Sequence, residues 1–245
     1  SLIGFIGIDM KATGSKDPFG LRRSCLGIIR IILENNIRVS MKSLAKDSYG
    51  FYKKQGIKLI LSEEETKKSY IDFVYDRLKV FMRDKGLSQS SIQAVYNASN
   101  FSDILDDFNK VEALDKFIND DGKEFLNTLK RVRRILSIEE KKIGMPIGDQ
   151  VSESLLDMEE EKALYTHHLK ISKQVRDLLK NEKYEKAMEV FSGIAISLEK
   201  FFENVKVNIE DKDIKNNRLM LLSLIRNTFI NFADFSLIDV ENEVK

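Results

Sequence analysis

The chain has 245 residues, with 40 Lys and Arg against 39 Asp and Glu and a formal net charge of +1. That length holds one large or two modest domains, and the balanced charge excludes a strongly basic nucleic-acid binder, so any such role needs a local basic face. The single cysteine, Cys25, excludes an internal disulfide or a cysteine-based zinc site, and no apolar run approaches membrane-spanning length, so a reducing cytosol is the expected setting.

The opening segment 2–8 is apolar and lacks a preceding cap, so it reads as the middle of a structure and the stretch as part of a longer protein. Gly14 and Ser15 then read as a tight loop. Asp17 reads as an N-cap and Pro18 as a first helical residue. A helix is predicted over 19–35, ended by Asn35 and Asn36. Ser40 caps a second that Gly56 stops, and Ser62 with Glu65 forms a capping box for a long helix ending at Gly86. A short helix starts at Ser90 or Ser91. Another comes after a Ser102 cap with an apolar stripe from Ile104 to Ile118, and a further one comes after the break at Asp121 and Gly122. The run Gly144-Met145-Pro146-Ile147-Gly148 holds the only proline after Pro18 and reads as a domain junction. Beyond it, helices are predicted over 153–179 and 184–204. An extended turn at 205–209 precedes a last helix capped from 211–213, and the tail from Asp239 is polar. No segment alternates with a strand's period, so the fold class is all-α, built as helical bundles.

Little of this resembles an active site. The stretch 13–23 offers a loop aimed along a helix N-terminus, with Lys11 and Lys16 beside it, so Lys16, Arg22 and Arg23 are candidates for a phosphate contact. The bland reading is a capped helix start. His167 and His168 are adjacent on a helix and diverge by about 100°, so they cannot share a metal from one face and read as a structural pair. Cys25 reads as a buried inert thiol. The runs Glu63 to Glu65, Asp106-Asp107 and Glu159 to Glu161 read as helix starts and solvated faces. The aromatic-rich stretch 229–235 has helical spacing and reads as core. No catalytic residue and no metal set is identified.

Several segments carry a resemblance. Residues 13–23, running into Gly27-Ile28-Ile29-Arg30-Ile31-Ile32, resemble the middle of the beta subunit of the bacterial, two-subunit glycyl-tRNA synthetase family. Phe73 to Leu78, Arg83 to Gly86, Ile92 to Val95 and Val111 to Leu114 are similar to the family's segments downstream of that point. So are Lys130-Arg131-Val132, Phe201 to Val205, Val207-Asn208, Asn217-Arg218-Leu219 and Ala233 to Ser236. Gly20, Ser24 and Cys25 depart from the family's usual alanines.

The resemblance implies residues 1–60 as the end of a helical domain of the HD-phosphohydrolase type, 61–144 as a connecting helical domain, and 145–245 as an anticodon-binding bundle like that of arginyl-tRNA synthetase. It implies a non-catalytic, tRNA-binding part of a cytoplasmic glycine–tRNA ligase. The ATP-dependent aminoacylation site would lie on a separate alpha subunit, within a tetramer of two alpha and two beta subunits. This stretch would hold no cofactor itself, and the His-Asp pair of the HD-type domain would lie upstream of it. Phosphate contacts need Lys and Arg, and base contacts need donors, acceptors and rings. On that ground Lys206, Asn208, Lys215 and Arg218 are the candidates for the anticodon side, with an internal helix bridge as the other reading of Arg218. Arg131, Arg133 and Arg134 are the candidates for the tRNA body. The alternative is a helical protein-interaction scaffold with no nucleic-acid role, which the near-neutral charge suits.

Overall fold

In the computed structural model, residues 1–10, 17, 19–120 and 122–238 are described, and all the regular structure among them is helical. Contacts divide the chain into two units, Ser1–Ile92 with Ser99–Val111, and Gln93–Ala98 with Glu112–Lys245.

The first unit contains α1 (Leu2–Gly7), α2 (Leu21–Glu34), α3 (Met41–Lys54) and α4 (Glu63–Asp84). Helix α1 is the surprise of the opening segment. It is too short to stand alone and is held by burial of Leu2, Ile3 and Ile6. Its glycines permit close approach: a Cβ on Gly4 would sit 2.7 Å from the Tyr52 ring, and the Gly7 carbonyl accepts from the Ile60 and Leu61 amides. Helix α4 begins with the expected capping box, Ser62 accepting from the Glu65 amide and Glu65 accepting from the Ser62 amide. Ser40 caps α3 as read.

The predicted helix start at Asp17 needs correction; Pro18, paired with it in that reading, lies outside the described residues. Helix α2 begins two residues later than expected, after Gly20 in the left-handed region at φ 64°. The Asp17 carboxylate instead reaches forward to the amides of Arg22 and Arg23, at 3.3 and 3.4 Å.

Helices α5 (Gln89–Ala98) and α6 (Ile104–Asn119) contribute residues to both units. Asp103, rather than Ser102, caps α6, accepting from the amides of Leu105 and Asp106. Asp107, read as part of a solvated charge run, is buried. It accepts from the Tyr75 hydroxyl at 2.5 Å and from Ser99 at 2.7 Å, and burial pushes its carboxyl above the usual range. Tyr75 and Asp107 both belong to the first unit.

The second unit is a bundle of α7 (Gly122–Ile143), α8 (Glu159–Lys180), α9 (Tyr184–Ser192), α10 (Ala195–Asn204) and α11 (Lys212–Asn227). Its core is aromatic. Phe191 lies 5.3 Å from Phe125 and 4.6 Å from Phe229, ring centre to ring centre, and Phe229 packs on Phe232 and Phe235. Phe229 and Phe232 of the 229–235 stretch are therefore core, as its spacing predicts, whereas Ile230 and Asn231 are exposed; the stretch lies just beyond α11.

Two expected helices are broken. The one predicted over 153–179 starts only at Glu159, because extended backbone at Leu156 buries that side chain. Glu161 then accepts from the amides of Asp157 and Met158 and fixes the start. The one predicted over 184–204 divides at Gly193, where the Ile194 amide bonds the Phe191 carbonyl in a tight turn.

The Gly144 to Pro146 segment, read as a junction, runs inside the second unit. Polar side chains of α11 strap the residues just after it. Asn217 exchanges two hydrogen bonds with the Ser152 backbone, Ser223 donates to the Ile147 carbonyl, and Asn227 donates to Asp149.

Candidate nucleic-acid interface

A groove of about 580 Å³ opens in the second unit between α7, the end of α10, the loop 205–211 and the first turns of α11. It brings together four of the residues singled out from the sequence: Arg131, Lys206, Asn208 and Lys215. Arg131, Lys142, Lys206 and Lys215 line it against two carboxylates, Glu139 and Glu203, which makes the local basic face that the chain's net charge does not advertise.

Arg131, Lys142 and Lys215 are each placed by a neighbour. The Arg131 guanidinium carbon lies 4.1 Å from the centre of the buried Phe202 ring, a cation–π contact that supports the charge while Arg131 stays exposed to solvent. Lys215 pairs with Glu139 at 2.7 Å, and Lys142 pairs with the other oxygen of the same carboxylate at 2.6 Å. Those two ammonium groups, Lys142 first, hold Glu139 below the usual carboxylate range. One charge thus organises two lysines on the groove's floor. Lys206 and Asn208 are exposed.

Arg218 is different. It is buried, and its Nε and Nη2 donate to Glu161 at 2.6 and 3.4 Å while Nη1 donates to the Lys206 carbonyl at 2.9 Å. Of the two readings open for it, the internal bridge is the one the geometry carries. Its guanidinium fixes the backbone of the loop that carries Lys206 and does not itself face solvent. Glu161 corrects a second expectation, since the third member of a run read as solvated is fully buried.

The groove does not gather the three arginines of α7: Arg133 is turned about 200° from Arg131, and Arg134, though about 60° away, does not line it. Only Arg131 lines the groove. Arg133 is half-buried and lines a separate cavity of about 330 Å³ with Phe191, Phe229, Arg226 and Asp234, where burial lowers its pKa. Arg134 is exposed and lines neither hollow.

At the other end of the chain, Lys11, Gly14, Ser15 and Lys16 lie outside the described residues. The amides of Arg22 and Arg23 are already taken by Asp17, and the Arg23 guanidinium lies 3.8 Å from the same carboxylate. The helix start therefore carries its own anion.

His167 bonds Ser197 and His168 bonds Thr228, so the pair is structural as read. Cys25 is fully buried, and burial pushes its thiol up to about 12. No three His, Cys, Asp or Glu side chains converge among the described residues as a metal set, and no described helix is long and apolar enough to cross a membrane.

Sequence reasoning missed Phe202 as the support for Arg131, and Glu139 and Lys142 as groove residues. The spacing of Arg131, Ile135, Ile138 and Lys142 on one helix face was available as a signal.

Comparison with known proteins matches the two ends of the chain to two different models. Residues 1–97 match the family described as glycyl-tRNA synthetase beta subunit, and residues 128–241 match the DALR anticodon binding domain. The chain is 35% identical over 242 residues to the glycine–tRNA ligase beta subunit of Rhodospirillum centenum (strain ATCC 51521 / SW), covering 98% of this chain and 33% of that protein. It is 32% identical over 240 residues to the protein of the same name from Ruegeria sp. (strain TM1040), again covering 98% of this chain and 33% of that protein. The chain thus spans about one third of the length of these relatives.

Proposed function

This chain belongs to the family of glycyl-tRNA synthetase beta subunits, and on that premise we propose that its second unit binds glycine tRNA from the anticodon side through the groove between α7 and the loop 205–211. The observation that carries the reading is the convergence of Arg131, Lys206, Asn208 and Lys215 on one groove, inside the stretch that matches an anticodon-binding domain. Lysines supply phosphate contacts, the Asn208 amide supplies both a donor and an acceptor for a base edge, and the exposed guanidinium face of Arg131 is a surface on which a base can stack. In this reading the chain is a non-catalytic part of a cytoplasmic glycine–tRNA ligase. ATP-dependent glycylation proceeds on the alpha subunit, in a tetramer of two alpha and two beta subunits, and this stretch holds no cofactor of its own.

The test is glycylation of glycine tRNA by the holoenzyme carrying full-length beta subunit with Arg131→Glu and Lys206→Glu. We expect the KM for tRNA to rise at least tenfold, with the KM for glycine and for ATP unchanged. An unchanged KM for tRNA in a folded variant overturns the reading in favour of a protein-interaction scaffold.

A further inference from the structure

The charges of α8 are sorted along its length. Its first turn holds Glu159, Glu160 and Glu161, whereas its second half holds Lys170, Lys173, Arg176 and Lys180, with Asp177 as the only carboxylate. At helical spacing these four cations fall within about 120° of arc, three or four residues apart, so they form one row roughly 15 Å long with neighbours about 5–6 Å apart at Cβ. Lys183, at the turn into α9, joins Lys170 and Lys173 around a shallow hollow of about 340 Å³, which Asp177 also lines.

These cations are unengaged. Several other exposed lysines of the unit are paired, Lys116 with Glu185, Lys162 with Glu159 and Lys186 with Glu189, while others such as Lys206 and Lys212 stand singly. Among the described residues, no ion pair or side-chain hydrogen bond engages Lys170, Lys173, Arg176, Lys180 or Lys183. The helix dipole accounts for Lys180 in the last turn but not for Lys170, ten residues earlier, since that effect fades beyond one turn. Neighbouring like charges on a helix repel and destabilise it. The row is therefore not explained by the fold.

We propose that the Lys170–Lys173–Arg176–Lys180 row, with Lys183, is a second RNA-contact surface that tracks the phosphate backbone of the bound tRNA. The inference rests on the tRNA-binding reading above. Flexible ammonium groups act as point charges for phosphate, and a row of them runs along a polyanion without reading its sequence. A protein partner fits the surface less well, because lysine is depleted at protein–protein interfaces.

The test uses full-length beta subunit in its holoenzyme with Lys170→Gln, Lys173→Gln and Lys183→Gln together, and glycine tRNA as the probe. Each lost phosphate contact lowers the slope of log K against log[salt] by about 0.7–0.9. We expect the slope to fall by about 2, with affinity down 10- to 100-fold at low salt and converging on the unsubstituted protein at high salt. Lys116→Gln with Lys186→Gln is the control and leaves the slope as it was. In the unsubstituted holoenzyme, bound tRNA is expected to suppress lysine acetylation of Lys170 and Lys173. An unchanged slope, or undiminished acetylation, overturns the proposal. Weakened assembly with the alpha subunit at an unchanged slope overturns it in favour of a protein partner. Binding lost in the Arg131→Glu, Lys206→Glu variant but not in the row variant removes the row and leaves the groove standing. Absence of tRNA binding by the unsubstituted holoenzyme removes both.

Discussion

The Nε atom of Arg218 lies 2.6 Å from Oε1 of Glu161, and the two side chains are 4% and 0% exposed. Each nitrogen of the guanidinium and each oxygen of the carboxylate has a partner. Glu161 also accepts two backbone amides, and the remaining arm of Arg218 reaches the Lys206 carbonyl. One buried charge therefore joins three things: the start of α8, the middle of α11 and the loop that forms one wall of the groove.

Arg218→Ala leaves a buried carboxylate without its cation and frees the Lys206 backbone. Breaking a buried pair from one side costs about 3–5 kcal/mol. Urea denaturation is expected to show a loss of that size for Arg218→Ala. The paired replacement Arg218→Met with Glu161→Leu is expected to lose less than the two single changes summed. Strict additivity would show that the pair is not coupled.

How much of this was legible in the sequence depended on whether the signal was local. Ser40, the Ser62 and Glu65 box and Asp211 act on amides two or three residues away, and all cap as read. The all-helical architecture arises from an apolar period that each helix carries within itself. The illegible part depends on partners far along the chain. Glu161 and Asp107 look like members of charge runs, and only the distant Arg218 and Tyr75 explain their burial. The groove residues were named for their chemistry, and three of them by their closeness to the α11 turn. That Arg131 belongs with them, and Arg133 does not, is set by a rotation of about 200° along α7 combined with the position of Phe202 on α10.

Two glycines offer opposite outcomes from the same substitution. A Cβ on Gly4 meets the Tyr52 ring at 2.7 Å, whereas one on Gly27 meets nothing within 4 Å. Overpacking costs about 1–3 kcal/mol, and replacing a helical glycine with alanine in open space stabilises by about 0.4–1 kcal/mol. Gly4→Ala is expected to lower the melting temperature of the chain and Gly27→Ala to raise it. Equal shifts would show that α1 does not pack as described.

His168 links stability to acid. Its Nε2 bonds the Thr228 hydroxyl, which itself donates to the Leu224 carbonyl, so Nε2 carries the ring's proton. Nδ1 is buried without a partner, and burial, with Arg176 and His167 adding repulsion, lowers the pKa from 6.5 to about 4. The folded state holds the neutral ring, so this contribution is complete above pH 6.5 and is lost as pH falls from 6.5 toward 4, by up to roughly 3 kcal/mol. Denaturation of His168→Phe across that range is expected to lack this slope. An identical pH dependence in the variant would assign it elsewhere.

The guanidinium of Arg131 separates the two parts of the groove's chemistry. Its positive charge attracts phosphate as any cation does, but only the flat face of a guanidinium, here supported by Phe202 at 4.1 Å, offers a surface for base stacking. Arg131→Lys keeps the charge and removes the plane. If a base stacks there, the loss is about 1–3 kcal/mol, or roughly 5- to 150-fold in affinity for glycine tRNA, with the salt slope unchanged. Phe202→Leu removes the support while leaving the arginine, and is expected to weaken binding in the same direction by a smaller factor. Were Arg131→Lys to bind as the unsubstituted holoenzyme does while Arg131→Ala lost affinity and salt slope together, the residue would be a phosphate contact only. Base recognition would then rest on Asn208.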